Sequence, residues 1–113
     1  MTYAKGEYSH VEGNQTSATG KYSHAQGEKT KATLDNAHAA GYMCEANAWN
    51  STAIGRYSRV LSSDRNAFVW QGLHQNTFYE SKGQGTFCIN PAIGLSGFYI
   101  GKDNFIQCVL SAV

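Results

Sequence analysis

Ser9-His10-Val11-Glu12-Gly13-Asn14-Gln15 is followed by Thr16-Ser17-Ala18-Thr19-Gly20-Lys21-Tyr22 and then by Ser23-His24-Ala25-Gln26-Gly27-Glu28-Lys29. Laid under one another, these heptads decide the fold. Ala4, Val11, Ala18, Ala25, Ala32, Ala39, Ala46, Ala53, Val60 and Ala67 recur every seven residues without a gap. Two places earlier stand Thr2, Ser9, Thr16, Ser23, Thr30, Ala37, Cys44, Ser51 and Ser58, with Arg65 the exception. Two places later stand Gly6, Gly13, Gly20, Gly27, Gly41 and Gly55, replaced by Leu34, Ala48, Ser62 and Val69 in the other units. The unit is [Ser/Thr]-x-Ala-x-Gly-x-x, and Gly13, Gly27, Gly41 and Gly55 show a longer period of fourteen on top of it. A coiled coil also repeats every seven residues, but small residues at i, i+2 and i+4, Gly among them, make a poor helix. Spacing of two instead puts all three on one face of an extended strand, and the last two residues of each unit turn the corner.

Two strands and two corners make one fourteen-residue coil of a flattened parallel β-solenoid, an all-β fold in which coils stack about 4.8 Å apart. The Ala series, Ala4 to Ala67, would line its interior. Such an interior buries little apolar area, and at roughly 0.8 kcal/mol per buried CH₂ it cannot readily offset the ordering of some seventy residues. Outward side chains must therefore meet another chain. One strand family exposes Tyr3/Lys5, Ser17/Thr19, Lys31/Thr33, Glu45/Asn47 and Arg59/Leu61, a set suited to water. The other exposes His10/Glu12, His24/Gln26, His38/Ala40, Thr52/Ile54 and Asn66/Phe68, and becomes apolar toward its end. The second face is assigned to a subunit interface, with His10, His24, His38, Thr52, Ile54, Asn66 and Phe68 as its members.

Tyr22-Ser23-His24-Ala25-Gln26-Gly27 resembles the SHAEG repeat, and Asn50-Ser51-Thr52-Ala53-Ile54-Gly55 the NSVAIG repeat, of the YadA-like heads of trimeric autotransporter adhesins. Similar repeats occur in tail-fibre proteins of phages and prophages. The resemblance covers residues 1–69 and implies a left-handed parallel β-roll, a homotrimer around a threefold axis, and a role in attachment to a host-surface protein or glycan. It places the chain on a bacterial cell surface, as part of a larger protein, or in a phage virion tail. The chain is expected to depart from the family in carrying no signal peptide, no long heptad stalk and no membrane barrel anchor.

From Trp70 onward the repeat is lost and large residues appear. Gly85-Thr86-Phe87-Cys88-Ile89-Asn90 reads as a strand stopped by Pro91, and residues 97–110 read as a hairpin around Lys102-Asp103-Asn104. Residues 70–113 are therefore expected to form a small antiparallel β cap that closes the last coil and locks the trimer, since an uncapped solenoid exposes unpaired strand edges.

The whole chain has 113 residues, 15% of them charged, and a net charge of +1, which carries neither an acidic tail nor a nucleic-acid footprint. No apolar run approaches the roughly 20 residues of a membrane-spanning helix, so direct membrane insertion is not expected. Cys44, Cys88 and Cys108 lack metal-ligand or disulfide-framework spacing and read as buried thiols, with a Cys88–Cys108 bridge left open. The His ladder could contribute rings of imidazoles around a threefold axis; as no Cys or carboxylate joins it at ligand spacing, spacers at the interface are the reading adopted, with no metal or cofactor. Tyr8, Tyr22 and Trp49 form an aromatic edge that could stack on sugars or contact a receptor, or shield strand edges. Ser62-Ser63-Asp64 and His74 make no nucleophile arrangement, and no phosphate loop or paired-carboxylate motif is present. The expectation is a non-enzymatic trimeric head or fibre module for attachment. A structural virion spacer and a self-cleaving tail protein are the alternatives.

Overall fold

The computed structural model describes residues 1–90, and among them every regular element is a strand; no helix is long and apolar enough to cross a membrane. Two six-stranded parallel sheets face each other. The first is built from short strands, β1 (Tyr3–Ala4), β3 (Ser17–Ala18), β5 (Lys31–Ala32), β7 (Glu45–Ala46), β9 (Ser58–Val60) and β11 (Tyr79–Glu80), in that order. The second stacks longer ones, β2 (His10–Asn14), β4 (His24–Glu28), β6 (His38–Tyr42), β8 (Thr52–Arg56), β10 (Phe68–Gln71) and β12 (Phe87–Asn90). The chain passes from one sheet to the other at every step, so each coil contributes one strand to each: a parallel β-solenoid.

Register follows the repeat through the fourth coil. His10, His24, His38 and Thr52 pair in sequence, as do Val11, Ala25, Ala39 and Ala53, and Gly13, Gly27, Gly41 and Gly55. On the other sheet Ala4, Ala18, Ala32, Ala46 and Val60 pair likewise. Ala18, Ala25, Ala32, Ala39, Ala46, Ala53 and Val60 are all fully buried. Ala4 is exposed and Val11 half-buried, because the first coil has a neighbour on one side only. The hydroxylic column has its own task. Ser23 Oγ donates to the carbonyl of Gly20 (2.6 Å) and Ser51 Oγ to that of Ala48 (2.6 Å), both at turns into strands, and Thr30 Oγ1 donates to that of Gln26 within β4 (3.3 Å), so buried hydroxyls satisfy nearby backbone carbonyls.

Corners are made by residues in the left-handed region. Tyr8, Gln15, Tyr22, Lys29, Asn36, Met43, Asn50 and Tyr57 all have φ between 55° and 60°, again seven apart, and Asn66 follows at 62°. Outside Asn these residue types seldom choose that conformation. Stacking holds them: the corner N–H groups of Tyr22, Lys29, Asn36, Met43, Asn50 and Tyr57 donate to carbonyls one coil earlier at 2.8–3.0 Å.

The register changes once. Sixteen residues, not fourteen, separate Thr52 from its partner Phe68, because the corner around Leu61–Arg65 takes up two more. Asp64 anchors this longer corner from within: its carboxylate is buried and accepts hydrogen bonds from Ser81 Oγ and from the N–H of Gly83. One expectation is corrected by it. Asn66 does not lie on the outer face but at the corner, with φ 62°. Ala67 is buried in the interior, but it stands next to Ser51 rather than Ala53, and Val69 takes the inward place opposite Ala53.

Nor does the architecture change at residue 70 among the described residues. β11 pairs with β9 and β12 with β10, both parallel, so the solenoid continues to Asn90 on coils of irregular length. The strand expected before Pro91 is β12. The hairpin at 97–110, the rest of the cap and Cys108 lie outside the described residues.

Gln71 closes the glycine column, opposite Gly55 on one side and Asn90 on the other, and its side chain is fully buried. Its amide nitrogen Nε2 donates to the carbonyls of Arg56 (2.8 Å), Tyr57 (3.1 Å) and Thr77 (3.0 Å), while Oε1 accepts from Asn90 Nδ2 (2.8 Å) and Gln75 Nε2. One side chain thus ties the corner after β8 to the loop after β10 and to β12.

Candidate functional site

The outer face of the longer sheet carries two columns, because residues two apart on a strand share a side. The first runs His10, His24, His38, Thr52, Phe68, Phe87; the second Glu12, Gln26, Ala40, Ile54, Trp70, Ile89. Along the solenoid the face changes from ionisable to apolar. Phe68 and Phe87 pack with ring centroids 5.0 Å apart, yet Phe87 keeps 49% of its surface exposed, and Ile54, Trp70 and Ile89 are each only half-buried. Trp70 is not among the residues that the repeat assigns to this face; the register change at Leu61–Arg65 is what brings it beside Ile54.

At the polar end three imidazoles stack. Ring centroids are 4.7 Å apart for His10 and His24 and 4.9 Å for His24 and His38, with planes tilted by 32° and 55°. His10 Nε2 lies 3.7 Å from Glu12 Oε1, and His24 Nε2 lies 3.2 Å from Gln26 Oε1. Burial, and secondarily the charge of His24, pull the pKa of His38 below its ordinary value. The sign follows directly. Folded His38 takes up its proton less readily than unfolded His38, so its contribution to stability is complete above pH of about 6.5 and is lost as pH falls through the folded value. Urea midpoints at pH 7.5 and pH 5.0 are expected to differ less in His38→Asn than in the wild type, and an unchanged difference would contradict the assignment.

The opposite sheet shows water a ladder of polar pairs. Arg59 Nε meets Glu45 Oε1 at 2.9 Å and its Nη1 meets Glu80 Oε2 at 3.2 Å, while Thr33 Oγ1 donates to Asn47 Oδ1 at 3.1 Å. This face is polar and charged, in contrast to the apolar end of the other.

The aromatic edge is divided between two columns. Tyr8 and Tyr22 are successive corner residues, stacked with centroids 5.4 Å apart and planes 6° from parallel, and they are 77% and 55% exposed. Asn36 and Asn50 continue their column, joined by a side-chain hydrogen bond of 3.0 Å. Trp49 belongs to the neighbouring column with Glu7, Lys21 and Asp35, where the Arg65 guanidinium lies 4.3 Å over its ring. The structure therefore keeps the three aromatics on one edge but does not bring Trp49 against the tyrosines. At the opposite corner Gln15, Lys29, Lys31, Met43 and Glu45 line a concavity of about 280 Å³, which the repeat alone does not single out.

Cys44 and Cys88 are free, buried thiols; burial pushes the Cys44 thiol upward, which keeps it protonated among the carbonyls of Tyr42 and Gly55. Among the described residues, no group of three or more His, Cys, Asp or Glu side chains converges on one metal position. No family model, curated protein or solved structure matches the chain.

Proposed function

We propose that the chain is the repeat module of a homotrimeric, left-handed β-roll attachment protein, a surface-adhesin head or a phage tail-fibre segment, without catalytic activity. The apolar end of the longer sheet carries this reading: Ile54, Trp70, Phe68 and Phe87 form a contiguous outer patch on a solenoid whose interior is mostly alanine. Burying that patch against two further copies supplies the area that the interior lacks, at about 25 cal/mol per Å² removed from water. The polar, charged ladder on the other sheet suits a solvent face, and Tyr8, Tyr22 and Trp49 are the contacts offered to a host-surface protein or glycan. The architectural alternative, a trimerising spacer, draws on the same edge: one face of Trp49 already carries the Arg65 guanidinium, although the ring keeps 42% of its surface exposed.

Sedimentation or light scattering over a range of concentrations tests the assembly. The expected mass is three times 12.3 kDa and independent of dilution. Ile54→Asp should dissociate it, since a carboxylate would be buried unpaired at the interface, and Lys31→Asp on the other sheet should leave it intact. Equal behaviour of the two variants, or a stable wild-type monomer, would remove the proposal. Glycan and matrix-protein binding by Tyr8→Ala and Trp49→Ala variants then separates adhesin from spacer.

A further inference from the structure

We propose that the His10–His24–His38 ladder is a binding strip for a borderline transition-metal ion such as Zn²⁺, each ion held between imidazoles on adjacent coils. In-register parallel strands place equivalent side chains about 4.8 Å apart, and the ring centroids here lie 4.7 Å and 4.9 Å apart. A metal bound at about 2.0–2.1 Å by two imidazole nitrogens needs those nitrogens about 3 Å apart. The proposal requires neighbouring rings at this spacing to turn about their side-chain torsions until one nitrogen of each faces the same point. The rings are already turned out of parallel, by 32° and 55°, so the stacked ladder is not a flat pile that such a rotation must break.

Chemistry around the strip favours a cation over an anion. Among the described residues Glu12, 3.7 Å from His10, is the charged group paired with the ladder; Gln26, Ala40 and Thr52, the other neighbours on this face, are neutral. The negative charge of Glu12 beside His10 favours a cation at that end without serving as a ligand. The depressed pKa of His38 leaves a lone pair available at neutral pH. Two imidazoles leave coordination positions open to water, or to side chains of neighbouring copies if the trimer forms, but the strip itself is complete within one chain and does not rest on the trimer.

His24 is common to both pairs, and this gives the test. Zn²⁺ alone is titrated into the protein at pH 7.5 by calorimetry, with the imidazole resonances followed by NMR. His24→Gln removes both pairs and is expected to weaken binding by about tenfold or more, whereas His10→Gln and His38→Gln each leave one pair and should weaken it only a few-fold. Equal losses in the three variants, or no heat and no shift up to 1 mM Zn²⁺ as an order-of-magnitude ceiling, would overturn the proposal and leave the ladder as a spacer. Sedimentation of the same samples separates the two ideas: a trimer that ignores Zn²⁺ refutes the metal strip only, and a monomer that binds Zn²⁺ refutes the trimer only.

Discussion

Gly41→Ala is expected to abolish the ordered stack, with a loss above about 4 kcal/mol, beyond the ordinary range for point substitutions. Two independent effects converge at this position. The residue sits at φ 119°, which an L side chain rarely adopts, and a Cβ built there would lie 2.1 Å from the carbonyl oxygen of Gly55 and 3.0 Å from its backbone carbon. The obstacle is backbone of the next coil, so no rotamer change can relieve it. Coils would have to part by more than about an ångström against a ladder of hydrogen bonds spaced at about 4.8 Å. Because a solenoid is held only by neighbouring coils, a breach between β6 and β8 separates the first three coils from the rest. Gly85→Ala is the control. Its φ is 68° and nothing lies within 4 Å of the added methyl, so the cost there should be about 1 kcal/mol. Thermal and urea unfolding of the two variants checks the contrast. A Gly41→Ala protein as stable as Gly85→Ala would mean that the coils do not approach as closely as the glycine column requires.

That column is legible in the amino-acid sequence, and so is the place of the corners; their left-handed conformation is not. Gly13, Gly27, Gly41 and Gly55 stand at a fixed period, and so does the Ala series; alternation by two fixes which side chains face inward once the strand is inferred. The left-handed corner positions carry Tyr8, Gln15, Lys29 and Met43, types with no preference for that conformation, because the hydrogen bonds of the stack impose it. Residue type points to such a corner only at Asn36, Asn50 and Asn66. The period also hides the longer corner at Leu61–Arg65. An unbroken run of small residues at seven-residue spacing carries the count through Ala67, while the buried Asp64 and the alternation Phe68-Val69-Trp70-Gln71 set the true register. The burial of Asp64 has no signature in the sequence: beside it only Ser63 is a partner, and the other two, Ser81 and Gly83, come from a segment where the repeat has ceased. The same holds for the outer face: the repeat alone places Ile54, whereas Trp70 and Phe87 join it only through pairings at irregular intervals.

Gln71→Leu should cost about 3–5 kcal/mol although it replaces one buried side chain by another of similar size. The loss lies in hydrogen bonds, not volume. Three carbonyls, of Arg56, Tyr57 and Thr77, would lose the Nε2 donor, and Asn90 and Gln75 would lose their acceptor. Each buried polar group left unpaired costs about 1–3 kcal/mol, and partial access of water at the corner keeps the total below the simple sum. For a domain of this size each kcal/mol lowers Tm by about 4–8 °C. Gln71→Glu separates the causes more sharply, since it preserves shape and chain length. At pH 8 it would set a carboxylate against three carbonyl oxygens, with no donor to offer them, and should be at least as damaging as Leu. At pH 4 the protonated acid recovers one donor, and part of the stability should return relative to wild type at the same pH. Hydrogen exchange locates the damage: amides of β10 and β12 should lose protection while those of β2 and β4 keep theirs, because coils distant from the lesion retain their own neighbours. If Gln71→Glu matched wild type at pH 8, the three-carbonyl contact could not exist, and the closure of the glycine column would have to be sought in another side chain.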